Sequence, residues 1–422
     1  MPAIVEFPTI VEQAVKQFGG IFANEPERRH VAEYLTGLLV AEHKTVSGIN
    51  AEFAVTTDQS CLNRWMTAVN WDVKQLNEAR LHWLQREPST RFSAQGVMAL
   101  DNTLIDHAGK LIEDVGWFWD HADKRHLIAH DYLIANDVCT SGTHDALEFR
   151  RFRKKEDCQA NGAERPAVAA AGEEPEVLPT CKSHTELCKE LVDWVEAHHI
   201  PGDLTFDCSF TNAAILNHIH RTGRGDVGDL KFNRKVWFKG RELKASELAA
   251  EIGPERRKPV KIGDHKPWYF TKTIHIPEVD HAVRLVILWH RKNGREAVKM
   301  LVTNRVYWEI TRILKVYRKR WTGTETFHRD GKPHVGMGDC QLRNGEGQTR
   351  HMYLVMLTHS LLVSDMRQGR VSEWAHRMLT TVGEACRAVL RETLGKTITW
   401  AIERATADGW SHEHIKAHLA LV

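Results

Sequence analysis

From Tyr317 to Lys332 the chain reads Tyr-Arg-Lys-Arg-Trp-Thr-Gly-Thr-Glu-Thr-Phe-His-Arg-Asp-Gly-Lys. One carboxylate, Glu325, stands between the basic run Arg318, Lys319, Arg320 and Lys332. A carboxylate held among cations suits a site that binds a metal ion together with phosphate, the acid taking the metal and the cations taking the anion. Glu325 and Lys332 are seven residues apart, so on one continuous helix they lie two turns apart on the same face. The same letters have a plainer reading. Thr322-Gly-Thr-Glu325 has the form of a capping box, in which Glu325 bonds to backbone instead of metal.

Two further acids decide between these readings. Gly96-Val-Met-Ala-Leu-Asp101-Asn-Thr103 is a short apolar run that ends in an acid, the pattern of a buried strand that delivers a carboxylate to its rim. Asp203-Leu-Thr-Phe-Asp207 alternates in strand fashion and again ends in an acid, and Thr211-Asn212 then caps a helix. Asp203 is the nearby competitor, but it precedes the strand, so Asp207 is preferred.

The elements around these acids follow from patterning. Residues 1–90 read as helical. Val46–Ala54, the polar turn Val55–Asp58 and a helix opening at Leu62 have the layout of a helix-turn-helix reader, in which Asn63 and Arg64 would face DNA. A plain helical bundle fits that stretch as well. A polar stretch, Arg86–Ser93, marks a boundary. Val115–Trp119 and Leu127–Ala135 suggest two more strands. His126 and His130 are four apart but have no further ligands at zinc spacing. An Ala-, Gly- and Pro-containing stretch over about 155–182 reads as a flexible loop, followed by a helix with the capping box Ser183–Glu186. Residues 236–303 are mostly β, and from Tyr307 the chain turns helical again.

Composition sets limits. A net charge of +2 makes any nucleic-acid surface local, and 42% hydrophobic with 27% charged residues is ordinary for a globular protein. Eight cysteines without a Cys-xx-Cys pair point to reduced thiols. No apolar tract is long enough for a bilayer, and the N-terminus lacks a signal pattern, so a cytoplasmic protein with no membrane partner is expected.

With these residues in place, the chain resembles the DDE transposases of bacterial insertion sequences of the cut-and-paste type. Their third acid lies in a Tyr-xx-Arg-xxx-Glu-x6-Lys signature. Tyr317, Arg320, Glu325 and Lys332 match it in type and order, with one residue more between Arg320 and Glu325 than the pattern has. Asp101 followed by Thr103 matches the first acid, and Asp207 between a strand and a helix matches the second. The resemblance covers roughly residues 90–365.

It implies an α/β fold, an RNase H-like mixed-sheet core with a mostly β insertion. A helical N-terminal DNA-binding domain precedes it and a helical C-terminal region follows. The expected division is 1–90; 91–235 as the first part of the core; 236–303 as the insertion; 304–365 as the last part of the core; and 366–422. It further implies that Asp101, Asp207 and Glu325 hold two Mg²⁺ ions about 4 Å apart, with Mn²⁺ able to substitute. Tyr317, Arg318, Arg320 and Lys332 would hold phosphates, and Trp321 or Trp308 would stack on an unpaired base. The implied partners are double-stranded DNA, as terminal inverted repeats and as target, and a second copy of the chain in a homodimer. Two other readings remain: a metal-dependent nuclease of the same fold, and a catalytically dead DNA-binding regulator.

Overall fold

The computed structural model describes residues 4–154, 181–321, 323, 326–369 and 378–419. The expected flexible loop falls, apart from its last two residues, outside them, as do Glu325 and the capping box proposed for Thr322–Glu325. Five helices open the chain: α1 (Thr9–Phe18), α2 (Glu25–Val40), α3 (Val46–Ala51), α4 (Gln59–Thr67) and α5 (Val73–Arg86). Strands β1 (Val97–Asp106), β2 (Gly116–Asp120), β3 (Arg125–Val138) and β4 (His144–Phe152) follow. Next come α6 (His184–Ala197), β5 (Asp203–Phe206), α7 (Ala213–Thr222) and β6 (Asp226–Asp229). A β-rich stretch holds β7 (Lys235–Phe238), β8 (Arg241–Lys244), α8 (Ala245–Glu251), β9 (Lys258–Pro259), β10 (Trp268–Ile274), β11 (Val283–Trp289) and β12 (Lys299–Thr303). The chain closes with α9 (Ile310–Arg320), α10 (Thr326–His334), α11 (Gly345–Gln368), α12 (Val382–Thr406) and α13 (His412–His418). The architecture is mixed α/β, with a large mixed sheet and helices at both ends of the chain. It is consistent with an RNase H-like core.

The chain divides into two compact units. The first joins residues 1–91, 105–130 and 327–422; the second joins 92–104 and 131–326.

The first unit is organised on α11, which is buried nearly all round because its apolar residues leave no polar face. It packs against α1, α2, α4, α5 and α12. Polar side chains lock this packing. Buried Arg350 on α11 donates to the carbonyls of Trp65 (3.2 Å) and Met66 (3.1 Å), two of the acceptors that the end of α4 leaves open. Buried Arg80 on α5 donates to Ser360 Oγ at 2.9 Å. His351 bridges the Tyr34 hydroxyl and the Gly336 carbonyl, both at 2.8 Å.

Burial pushes His351 down to about 4 and His328 on α10 to about 3, aided by the positive charges of His107 and Lys332 respectively. An unfolded histidine titrates near 6.5. Each ring is therefore neutral in the fold, and its contribution is present in full above about pH 6.5. That contribution is lost as pH falls towards the folded value. The stability advantage of the wild type over His351→Gln is expected to shrink by about 3 kcal/mol between pH 7.5 and pH 4 in urea titrations. A pH-independent difference would remove the buried imidazole as the cause.

The second unit holds most of the sheet, in the order β3-β1-β5-β6-β12-β11-β10-β9, with β4 also paired to β3. β1, β5 and β6 are parallel neighbours. Helix α6 starts at Ser183 with the expected capping box, and Asn212 caps α7 by accepting from the Ile215 amide at 3.1 Å. The β-rich stretch is only partly an insertion. β7 and β8 form their own two-stranded sheet, but β12 pairs with β6 (Leu301↔Asp229, Val302↔Gly228), so β10–β12 widen the core sheet. The reason lies in β11, apolar at all but one position and buried everywhere except Arg284. Such a strand needs cover on both faces, which the sheet interior provides.

Six cysteines (Cys61, Cys139, Cys188, Cys208, Cys340, Cys386) are free thiols, whereas Cys181 is disulfide-bonded, a departure from wholly reduced cysteines. Among the described residues no helix is long and apolar enough to cross a membrane.

Candidate active site

Strand register brings the acids together. Leu100 on β1 pairs with Phe206 on β5, and Phe206 pairs with Gly228 on β6. Asp101, Asp207 and Asp229 each follow one of these residues, so three carboxylates form a row across adjacent parallel strands. Neighbouring strands lie about 4.8 Å apart, which puts adjacent members of the row within reach of shared cations. Asp101 is 8% exposed. Asp207 leaves the end of β5 in a tight turn, its Oδ1 accepting from the Ser209 amide (2.8 Å) and hydroxyl (2.5 Å). Asp203 sits at the opposite end of β5 and pairs with Arg312 at 3.1 Å.

Helix α9 delivers cations to this row. Ile310, Ile313, Leu314, Tyr317 and Arg320 are its buried stripe, at the spacing of one helical face. The apolar part packs on Val97 of β1, Val227 of β6 and Leu301 of β12. A fully buried Ile or Leu of this kind stabilises by about 1.5–3 kcal/mol, enough to hold the helix in register. Its last turn then places Arg320 against the acids. Arg320 Nη1 donates to Asp101 Oδ2 at 2.7 Å, in a pair whose side chains are 8% and 12% exposed. Burial opposes the guanidinium charge, but Asp101, Tyr317 and Asp207 outweigh it and hold its pKa above the ordinary value.

The third acid has its own cation. Lys299 on β12 donates to Asp229 at 2.9 Å and lies 5.7 Å from the centre of the buried Tyr317 ring. Asp229 and Lys299 escaped the sequence reading. Asp229 carries the same signal as the other two, an acid closing a short strand, whereas nothing local marks Lys299.

The remaining candidates are spread along the chain. Trp321 is exposed, with the Arg320 guanidinium 4.8 Å from its ring centre. Trp308 packs on the core around α9, with Arg312 4.0 Å over its ring. Arg318 is exposed, while Lys319 turns back to the carbonyls of Gln95 and Val138. Lys332 is exposed on α10, and Arg64 is exposed beside a half-buried Asn63 on α4; all three belong to the first unit. His130 bonds His107 (2.9 Å) and the Glu113 carbonyl (2.8 Å).

Gly323 precedes Glu325 by two residues. A Cβ there would lie 2.7 Å from Val138 Cγ2 and 3.2 Å from Ala99 Cβ. Ala99 and Asp101 share a face of β1, since strand side chains alternate. The backbone at Gly323 therefore rests directly on the face that carries Asp101. Gly323→Ala is expected to cost about 1–3 kcal/mol by overpacking and to lower any activity of the site. A denaturation midpoint equal to that of the wild type would show that the contact can relax.

Clustered carboxylates offer hard oxygen ligands of the kind that divalent Mg²⁺ takes, and the Arg320 ion pair shows that the row already attracts positive charge. The donor set therefore fits a divalent metal. Acids presented by adjacent parallel strands beside a helix-borne cation are groups suited to metal-assisted chemistry on phosphate esters. The family model described as DDE superfamily endonuclease matches residues 17–290, and the chain belongs to that family. Asp101 and Asp207 lie inside the matched span and Tyr317–Lys332 beyond it. The family implies transposase- or nuclease-type activity on DNA, generally with a divalent metal. No curated protein matches the chain.

Proposed function

We propose that this chain is a DNA transposase of an insertion sequence, which binds the terminal inverted repeats of its element, cuts them and joins them to target DNA. The observation that carries the reading is the in-register placement of Asp101 and Asp207 on adjacent parallel strands, with Arg320 from α9 against them. Family membership supports it independently.

In this reading Asp101, Asp207 and Glu325 hold the metal ions. Bound there, Mg²⁺ would supply activation of the attacking water or 3′-hydroxyl and stabilisation of the leaving oxygen. The protein's own groups do the rest. Ser209 fixes the rotamer of Asp207 through two hydrogen bonds. Arg320, paired with Asp101, brings a guanidinium fork suited to phosphate beside the acids. Tyr317 positions Arg320 from one helical turn earlier, and Arg318 and Lys332 add phosphate contacts. Trp321 presents an exposed ring to an unpaired base. In the first unit, Asn63 and Arg64 on α4 read DNA.

The test uses the full chain and a DNA fragment that carries the end of the element, taken from DNA flanking the gene. Mg²⁺-dependent nicking followed by strand joining is the expected result. Nicking without joined products would make the chain a nuclease of the same fold. Specific binding with no nicking in Mg²⁺ or Mn²⁺ would make it a regulator.

A further inference from the structure

Next to Asp207, beyond the C-terminal ends of β5 and β6, lies a cavity of about 430 Å³. One wall is the turn between β5 and α7, including Ser209 and Asn212; another is the loop after β6, with Lys231, Asn233 and Arg234; Glu278 closes the side. The walls are fixed in place. Asn212 caps α7 and also donates to Thr185 at 3.2 Å. Asn217 on α7 holds the Glu278 carbonyl at 2.9 Å and the Asp280 amide at 3.0 Å. Ser209 links the cavity directly to the Asp207 carboxylate.

Three cations, Lys231, Arg234 and Lys235, line this cavity against one carboxylate, Glu278. Lys235 pairs with Glu242 at 2.7 Å, but Lys231 and Arg234 form no ion pair with any described residue. Between them in sequence lies Phe232, an aromatic side chain 41% exposed on the loop of residues 230–234 that joins β6 to β7 at Lys235. Cations interleaved with an exposed aromatic ring suit a strand whose bases are unstacked, the cations taking phosphate and the ring taking a base. A volume of this size matches a small-ligand site and is enough for a nucleotide.

We infer that this cavity and the Lys231–Lys235 segment form a subsite for an unpaired DNA strand next to the phosphate that Arg320 takes beside Asp101 and Asp207. The inference rests on the strand-transfer reading and adds the form of DNA that the site selects.

The experiment measures binding of the full-length protein, by fluorescence anisotropy without metal, to a short blunt duplex and to the same duplex with a single-stranded tail. The tailed duplex is expected to bind about tenfold more tightly. Phe232→Ala should lose most of that preference and Phe232→Tyr keep it. In Lys231→Ala/Arg234→Ala the salt dependence of tailed-duplex binding should fall by about 0.7 in logarithmic slope per lost contact, with the blunt duplex unaffected. Equal affinity for both DNAs overturns the inference. So does a charge variant that weakens both alike, which would assign the loop to duplex backbone. Mg²⁺-dependent nicking by the wild type is scored separately. If nicking occurs while the tail preference is absent, only the subsite fails; if no DNA of either form binds, the strand-transfer reading itself fails.

Discussion

Asp207→Asn is expected to abolish Mg²⁺-dependent DNA cleavage and leave the folded protein as stable as before, whereas Asp101→Asn abolishes cleavage and also weakens the fold. Both variants remove a hard, charged ligand from the same row. Several kcal/mol of transition-state stabilisation depend on such ligands, and about 4 kcal/mol corresponds to a thousandfold in rate. The stability effects diverge because the two acids have different partners. Asp207 sits at a strand end, bonded to Ser209, and an Asn side chain keeps an oxygen acceptor for both bonds. Asp101 neutralises buried Arg320 at 2.7 Å. Without that charge the guanidinium stays buried with its strongest counter-charge gone, a change expected to cost about 2–3 kcal/mol. Single-turnover cleavage and urea denaturation of both variants separate the two effects. Cleavage within tenfold of the wild type in either variant would remove that residue from the metal-binding set.

Arg350→Met should be the most damaging substitution in the first unit. The guanidinium is 1% exposed, accepted by the carbonyls of Trp65 and Met66, paired with Glu346 at 2.5 Å and stacked 4.9 Å from the Trp71 ring. Methionine keeps much of the volume but takes the guanidinium donor from the Met66 carbonyl in a dry interior, at about 1–3 kcal/mol, while the Trp65 carbonyl keeps the Trp71 indole N–H at 3.1 Å. The expected loss is about 3–5 kcal/mol. Arg350→Lys should rescue little, because an ammonium cannot reach several carbonyls in one plane. Helix α4 carries Asn63 and Arg64, so specific DNA binding should weaken along with stability. A loss under 1 kcal/mol for Arg350→Met would mean that water replaces the guanidinium.

Much of the placement of the candidate site residues is legible in the sequence, for a simple reason. An apolar run closed by an acid leaves a local trace, and both Leu100-Asp101 and Phe206-Asp207 carry it, although β1 continues past Asp101 to Asp106 where the sequence pattern ends the strand. Helix α9 was equally legible from the spacing of Ile310, Ile313, Leu314 and Tyr317. The pairing of Arg320 with Asp101 was not, because it joins residues 219 positions apart and depends on how α9 crosses the sheet. Lys299 was hidden in the same way. The β-rich stretch misled because a lapse in the strand-helix alternation suggests a separate module. The sheet instead accepts β12 alongside β6 by antiparallel pairing, which needs no intervening helix.

The helices that surround α11 come from both ends of the chain, and this sets an order of events during synthesis. Arg80 meets Ser360 across 280 residues, and the Thr9 amide meets Glu392 across 383. At roughly 5–20 residues per second, a ribosome needs about 15–60 s to extend the chain from Arg80 to its partner. Through that interval α1–α5 have emerged with their apolar stripes uncovered, while the second unit can already gather its strands. A nascent chain in this state is a substrate for chaperones and proteases. A product terminated ahead of Gly345 never leaves it, because the helix that would cover those stripes is not made. Shortened versions of this protein should therefore be cleared or aggregate, and would not persist as folded DNA-binding fragments.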